Sequence, residues 1–149
     1  MGLEWIKRIM SGTSQTPKKE VVVETGTIER PSSRDIIPYS AIKASGAKIT
    51  IDFGGAVEIA EIADTNSMDP VFDIGHNAIL LKDFDRSELA VGDVVVYRLY
   101  GGLIIHRIIE ITEDEGGRNY RLKGDNNDKP DPYWVRDEHI KYLMAGVIY

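Results

Sequence analysis

Short hydrophobic runs separated by turn residues dominate the pattern of this 149-residue chain. Each run is rich in β-branched or aromatic residues and is bounded by glycine, proline, asparagine or aspartate, which is typical of β-strands. The runs cover residues 21–23, 48–53, 57–62, 78–82, 94–99, 103–111, 120–123 and 141–149. Because no helical periodicity separates them, we predict an all-β domain with a barrel-like or folded sheet.

Glycine-containing turns join some of these runs directly. Tyr100-Gly101-Gly102 predicts a tight β-hairpin, and Glu115-Gly116-Gly117 predicts a second one. Residues 31–44 lack a clear pattern and are compatible with one helical turn or with a loop.

The first 19 residues differ from the rest of the chain. Residues 2–10, from Gly2 to Met10, carry apolar side chains on one side and charged ones elsewhere, which predicts a short amphipathic helix. Such a helix can pack on the domain, and Trp5 beside cations also suits a peripheral membrane contact. Residues 11–19 are polar and typical of a linker. We therefore expect a helix and linker over residues 1–19 and a β-domain over residues 20–149.

Composition and charge exclude several classes of function. A net charge of −6 and a pI near 5.1 do not supply the clustered basic surface that nucleic-acid binding requires. No apolar stretch approaches the roughly 18 to 20 residues of a membrane span. Because the chain has no cysteine, its fold cannot depend on disulfides or thiolate metal sites. We expect a cytoplasmic or otherwise soluble protein, with peripheral membrane association left open.

Candidate chemistry is concentrated in three short segments. The first, residues 65–70, places Ser67 in a turn that follows a strand and is closed by a proline, so a hydroxyl can be presented from a fixed backbone. Asn66 precedes the serine and tolerates left-handed backbone angles. Taken alone, such a segment is more often an ordinary turn.

The second segment is an apolar strand around His106, and we expect both faces of this strand to be buried. Burial of an imidazole favours the neutral form that a general base requires, although a histidine in such a strand is more often structural. Lys123 is an alternative base, whereas Arg107 is excluded because a guanidinium keeps its proton. The other histidines, His76 and His139, are expected to face solvent.

The third segment, residues 123–131, supplies carboxylates at Asp125 and Asp131. Its alternating oxygen ligands also suit a calcium loop, but the helix–loop–helix template needs glycine where Pro130 stands. A plain polar hairpin is the remaining interpretation. Together with the serine and the histidine, the carboxylates complete the ingredients of a nucleophile–base–orienter triad.

The order, spacing and contexts of these segments resemble the serine peptidase core of signal peptidase I, of the archaeal and endoplasmic-reticulum type. The motifs that match are Ser67-Met68-Asp69-Pro70, His106 on a later strand, and Gly124-Asp125-Asn126-Asn127 followed by Asp131, and the resemblance spans about residues 59–149. It implies the folded β-sheet shared by signal peptidases and LexA-type repressors, and no cofactor. The chain departs from that family at Asn66, where glycine is usual, and we expect it to lack the usual membrane anchor.

The resemblance also assigns roles to residues. Ser67 is the implied nucleophile, His106 the general base and Asp131 the carboxylate that orients the base, with Asp125 as a supporting carboxylate. Thr65 and the Ser67 N–H form the implied oxyanion hole. Bacterial signal peptidases and LexA-type repressors carry lysine at the histidine position, so a Ser–His pair is favoured over Ser–Lys. The implied substrate is a polypeptide bound in extended form and cut after small residues.

Two other functions remain open at this point. The chain could be a catalytically inactive or regulatory β-domain that binds a peptide or a partner chain. It could also be a protease that cleaves itself, because Ser45-Gly46-Ala47 and Gly54-Gly55-Ala56 offer small residues upstream of the serine. The oligomeric state does not follow from the sequence.

Overall fold

A computed structural model describes residues 28–149 of the chain. The predicted helix at residues 2–10, the linker at 11–19 and the strand at 21–23 lie outside these residues. Within the described part the secondary structure is mostly β, which confirms the all-β prediction. No helix between residues 28 and 149 is long and apolar enough to cross a membrane.

The strand boundaries follow the hydrophobic runs closely. The strands are β1 Ile42–Ser45, β2 Lys48–Ile51, β3 Val57–Glu61, β4 Asn77–Leu81, β5 Val94–Leu99, β6 Gly102–Asp114, β7 Gly117–Lys123, β8 Val135–Arg136 and β9 Ile140–Ile148. Short 3₁₀ turns occur at Tyr39–Ala41, Arg86–Glu88 and Asp137–His139. Strands β1 and β8 were not predicted. Residues 31–44, for which a helical turn and a loop were both open, contain a loop, the first 3₁₀ turn and the beginning of β1.

The described residues divide into two compact units. One unit includes residues 37–52, where β1 and β2 form an antiparallel hairpin with Ile42 opposite Ile51 and Ser45 opposite Lys48. Most side chains of this hairpin are exposed, which explains why β1 has no buried face for a sequence pattern to reveal.

The other unit comprises residues 28–36 and 53–149 and contains a seven-stranded antiparallel sheet. Its strand order is β3-β4-β9-β5-β6-β7-β8, so the C-terminal strand lies between β4 and β5. Both predicted hairpins are confirmed: Leu99 pairs with Gly102, and Asp114 pairs with Gly117. In the first hairpin, Tyr100 and Gly101 have φ of 48° and 83°, the left-handed angles that a two-residue type I′ turn requires.

Hydrophobic side chains are buried on both faces of this sheet. Successive residues of β5 point to opposite faces, and Val94 and Val95 accordingly belong to different clusters. One cluster contains Leu81, Leu89, Val95, Tyr97, Ile108, Tyr120, Leu122, Val135, Ile140 and Leu143; the other contains Met68, Phe72, Ala78, Leu80, Val94, Val96 and Met144. The second cluster includes the residue after Ser67, so the candidate nucleophile turn is fixed by the core itself.

The expectation that both faces of the His106 strand are buried is wrong at one end of β6. His106 and Ile108 are buried, but Leu103 is 53% exposed. Leu103 follows directly on the β5–β6 hairpin, where the strand pair projects beyond the core. Its hydrophobic side chain therefore does not indicate burial.

Candidate active site

Ser67 lies in a turn after β3 that is fixed by the buried side chain next to it. Met68 is 2% exposed, and its carbonyl accepts the N–H of Val71 at 2.9 Å. Asn66 has φ of 55°, which confirms the left-handed conformation predicted at this position. The hydroxyls of Thr65 and Ser67 lie 3.2 Å apart and hydrogen bond to each other. The turn thus holds the serine hydroxyl beside a second hydroxyl.

The Gly124-Asp125-Asn126 motif packs directly on this turn. The N–H of Asn126 donates to the Ser67 carbonyl at 2.9 Å, and its side-chain amide donates to the Asn66 carbonyl at 2.9 Å. A Cβ at Gly124 would lie 2.5 Å from the Ser67 carbonyl oxygen, which no side chain can tolerate. Glycine is therefore required here by the close approach of two backbones, and the motif positions Ser67.

Replacement of Gly124 by alanine is expected to lower the free energy of unfolding by about 1 to 3 kcal/mol, because backbone atoms must move to admit the methyl group. Gly102→Ala is the matched control, since the nearest atom to its Cβ is a carbonyl oxygen at 3.7 Å, an ordinary contact. Denaturant unfolding of both variants measures the difference. Equal stability of the two variants would contradict the close packing of the motif on the nucleophile turn.

His106 is buried on β6 and its ring is bound to a carboxylate. The Nδ1 atom lies 2.8 Å from Asp131 Oδ2, and the Asp131 backbone is held by its N–H, which donates to the Leu122 carbonyl at 2.8 Å. The same oxygen accepts the Tyr97 hydroxyl at 2.7 Å. A neutral imidazole that donates from Nδ1 to a carboxylate keeps its lone pair on Nε2. The ring is therefore arranged to accept a proton at Nε2.

Asp131 is held in its ionised form by its surroundings. Burial alone raises the pKa of this carboxyl, but hydrogen bonds from His106 and Tyr97 outweigh burial, and the nearby Arg121 contributes in the same direction. The pKa of Asp131 consequently lies below its ordinary value. A carboxylate that stays charged is a permanent acceptor for the imidazole N–H.

Asp125 has a different partner. The guanidinium of Arg107 binds it in a bidentate pair, with Nε 2.8 Å from Oδ1 and one terminal nitrogen 2.6 Å from Oδ2. The other terminal nitrogen of Arg107 donates to the Gly92 carbonyl at 2.7 Å, and the Asp125 N–H contacts Met68 Sδ at 3.4 Å. Asp125 thus ties its loop to β6 and to the nucleophile turn.

One cavity of about 310 Å³ joins the predicted residues. It is lined by Ile62, Ala63, Thr65, Asn66, Ser67, Met68, Phe72, Asp73, Leu103, Ile104, Ile105, His106 and Asn127. Three of the five predicted site residues line it, whereas the two carboxylates lie behind the lining. The walls are mainly apolar, so the cavity suits uncharged groups.

Three further residues named from the sequence, Lys123, His76 and His139, do not line the cavity. The Lys123 Nζ donates to the Gly124 carbonyl at 3.3 Å. His76 and His139 were expected to face solvent, but each is half-buried and its Nδ1 accepts a backbone N–H.

Tyr97 and Asn127 were missed as site residues. A tyrosine in an apolar strand is normally core, and only the strand register places it beside Asp131. Asn127 is the last residue of the motif that begins at Gly124. That motif was identified from the sequence and could have indicated Asn127 as a site residue.

The calcium-loop interpretation requires a cluster of side chains that can bind a metal ion. Between residues 28 and 149, no group of three or more histidine, cysteine, aspartate or glutamate side chains is arranged to hold a metal ion. In the same part of the chain, Asp125 is occupied by Arg107 and Asp131 by His106 and Tyr97.

Comparison with known proteins yields a partial match. The chain is 34% identical over 84 residues to signal peptidase I W of Bacillus subtilis (strain 168). The matched region covers 55% of this chain and 44% of the relative, so the chain spans less than half of that protein's length. No family model matches the sequence. The similarity supports a signal peptidase I-like family for this chain.

Proposed function

We propose that this chain is a serine endopeptidase of the signal peptidase type, acting through Ser67, His106 and Asp131. The observation that carries the proposal is the 2.8 Å contact between His106 Nδ1 and Asp131 Oδ2, behind a cavity that both Ser67 and His106 line. The partial match to signal peptidase I W supports peptidase chemistry independently of that geometry.

In the proposed mechanism, Ser67 Oγ attacks the scissile carbonyl while His106 Nε2 removes the hydroxyl proton. A tetrahedral intermediate forms, with the negative charge on the former carbonyl oxygen and the positive charge on the imidazolium. Asp131 stabilises that imidazolium and holds the ring by its Nδ1–H. Collapse of the intermediate breaks the C–N bond, and the imidazolium gives its proton to the leaving amine.

Hydrolysis of the acyl-serine ester by water then completes the cycle with the same catalytic groups. His106 removes a proton from a water molecule that attacks the acyl-serine ester, and the second tetrahedral intermediate releases the carboxyl product. The serine hydroxyl regains its proton from the imidazolium, so the site returns to its starting state. This sequence uses neither a metal nor an organic cofactor.

We assign the oxyanion hole to the Ser67 N–H and the Thr65 hydroxyl. The Thr65 hydroxyl lies 3.2 Å from the Ser67 hydroxyl, so it can donate to a negative charge that develops next to the nucleophile. Donors held by a rigid turn stabilise that charge without reorganising, and the buried Met68 supplies the rigidity.

The proposed substrate is a polypeptide bound in extended form. Strand β3 ends at Glu61, a few residues before the nucleophile, and lies at an edge of the seven-stranded sheet. An added strand can pair with such an edge through backbone hydrogen bonds and place alternate side chains in the apolar cavity. The resemblance to signal peptidases adds a preference for small residues before the cut.

The proposal predicts new protein N-termini that depend on Ser67. Purified wild-type protein is incubated with a denatured proteome, and the N-termini are compared with those produced by Ser67→Ala. Cleavage at sites with small residues is expected with the wild type alone, because the variant has no nucleophile. Identical N-termini from both proteins would overturn the proposal and favour a binding or regulatory domain.

Intact mass of the incubated protein separates substrate cleavage from self-cleavage. A wild-type mass that stays at the full-length value, beside new N-termini in the proteome, supports action on other chains. A shortened wild-type chain with an intact Ser67→Ala chain would make this protein its own substrate.

A further inference from the structure

We propose that Tyr97 is a positioning residue of this site: its hydroxyl holds the Asp131 oxygen to which His106 is bound. The inference rests on the proposed peptidase function and extends it beyond the three predicted residues. No sequence motif marked Tyr97, because it lies at the end of an apolar stretch of β5 that is typical of a buried strand.

The geometry singles out one oxygen atom. The Tyr97 hydroxyl is 2.7 Å from Asp131 Oδ2, and His106 Nδ1 is 2.8 Å from the same atom. The rings of Tyr97 and His106 lie 6.4 Å apart with a 51° tilt, so the carboxylate oxygen is held between two donors. With two donors on one oxygen, the carboxylate cannot rotate without losing both bonds.

Strand register explains how these groups meet. Val95 lies opposite His106 in the β5–β6 pair, and Tyr97 is two residues farther along β5 on the same face. Tyr97 is 1% exposed, so its hydroxyl has no access to water and needs a protein acceptor. Packing alone does not require that hydroxyl, since phenylalanine would fill the same space.

The polar and charged groups around Asp131 come from three strands. His106 on β6 and Tyr97 on β5 donate to it, and Arg121 on β7 acts through its charge. Arg107, the next residue on β6, is bound in a bidentate pair with Asp125. Removal of the Tyr97 donor therefore leaves the Asp131 carboxylate a stronger acceptor, which stabilises the protonated imidazole.

Replacement of Tyr97 by phenylalanine tests the role. We expect kcat to fall about fivefold with little change in KM, since one buried hydrogen bond that orients the carboxylate is lost. The acid limb of the pH–rate profile should move to higher pH, because the Asp131 carboxylate then holds the protonated imidazole more strongly. In an Asp131→Asn background, the same replacement should have almost no further effect.

Tyr120→Phe is the matched control. Tyr120 is also fully buried, and its hydroxyl donates to a carboxylate, Asp137 Oδ1, at 2.5 Å. Neither Tyr97 nor Tyr120 lines the cavity. This variant should lose stability while its pH–rate profile keeps the wild-type midpoint. Equal profiles for Tyr97→Phe and the wild type would overturn the proposal, as would equal shifts in the two tyrosine variants.

A nuclear magnetic resonance titration distinguishes failure of this inference from failure of the proposed function. The His106 ring is followed against pH in Ser67→Ala and in Ser67→Ala/Tyr97→Phe, neither of which needs to turn over. An upward shift of the titration midpoint in the double variant supports the Tyr97 role even when the wild type cleaves nothing. An unchanged midpoint overturns it even when the wild type is active.

Discussion

Replacement of His106 by alanine is expected to abolish cleavage, with a loss of about 10⁶-fold in kcat, comparable to the loss of the nucleophile. Without the imidazole, the Ser67 hydroxyl remains protonated and attacks poorly, and the leaving amine has no proton donor. The measurement is kcat/KM on a peptide identified among the new N-termini, with Ser67→Ala as the reference for complete loss.

His106→Lys extends this test to the identity of the base. The lysine variant should stay inactive, because an ammonium beside the Asp131 carboxylate is stabilised in its charged form and cannot accept a proton near neutral pH. In the wild type, activity should fall as the pH is lowered, since a protonated imidazole is no longer a base. Full activity of His106→Ala would refute the Ser–His assignment and reopen Lys123 as the base.

Replacement of Asp131 by asparagine should reduce kcat by about 10⁴-fold while the protein stays folded. The amide still fills the site and can offer one oxygen to both donors, but it carries no charge to stabilise the imidazolium. Asp125→Asn should reduce activity far less and lower the free energy of unfolding by about 2 kcal/mol, because it weakens the bidentate pair with Arg107.

The two asparagine variants are each other's control, since they make the same chemical change six positions apart on one segment. Turnover and denaturant unfolding are measured for both. A large activity loss in Asp125→Asn with little loss in Asp131→Asn would transfer the orienting role to Asp125 and leave the enzyme class unchanged.

Acid unfolding provides a further readout of Asp131. Its pKa in the folded protein is below the unfolded value of about 3.9, so the ionised carboxylate stabilises the native state above that pH. This contribution is lost as the pH falls through the folded value. Asp131→Asn cannot show this loss, and its stability should therefore depend less steeply on pH in the acid range.

Much of the fold was predictable because it depends on local patterns. Strands β4 to β7 and β9 bury one or both faces, so their sequences alternate or run apolar, and two-residue turns with glycine joined two pairs of them. Strand β3 is mostly exposed and was predicted from its β-branched residues Val57 and Ile59. Strands β1 and β8 escaped prediction for physical reasons. The first has a single β-branched residue among its four, and the second has only two residues. Segments of this length and composition leave no clear periodic pattern in the sequence.

The sequence by itself determined the chemistry available at the site. It supplied a serine in a rigid turn, a histidine in an apolar strand and two carboxylates on one loop, together with the left-handed turn at Asn66. These are properties of residue type and near neighbours, and they suffice to nominate residues. They do not distinguish two aspartates of the same loop.

Only the tertiary structure decided which partner each of these residues has. Register between β5 and β6 placed Tyr97 on the same face as His106, and the return of the loop over β6 gave Asp131 to the imidazole and Asp125 to Arg107. Such pairings depend on contacts between residues distant in sequence, where a shift of one position would reverse every side chain. The requirement for glycine at position 124 has the same origin, since its neighbour there is the backbone of Ser67.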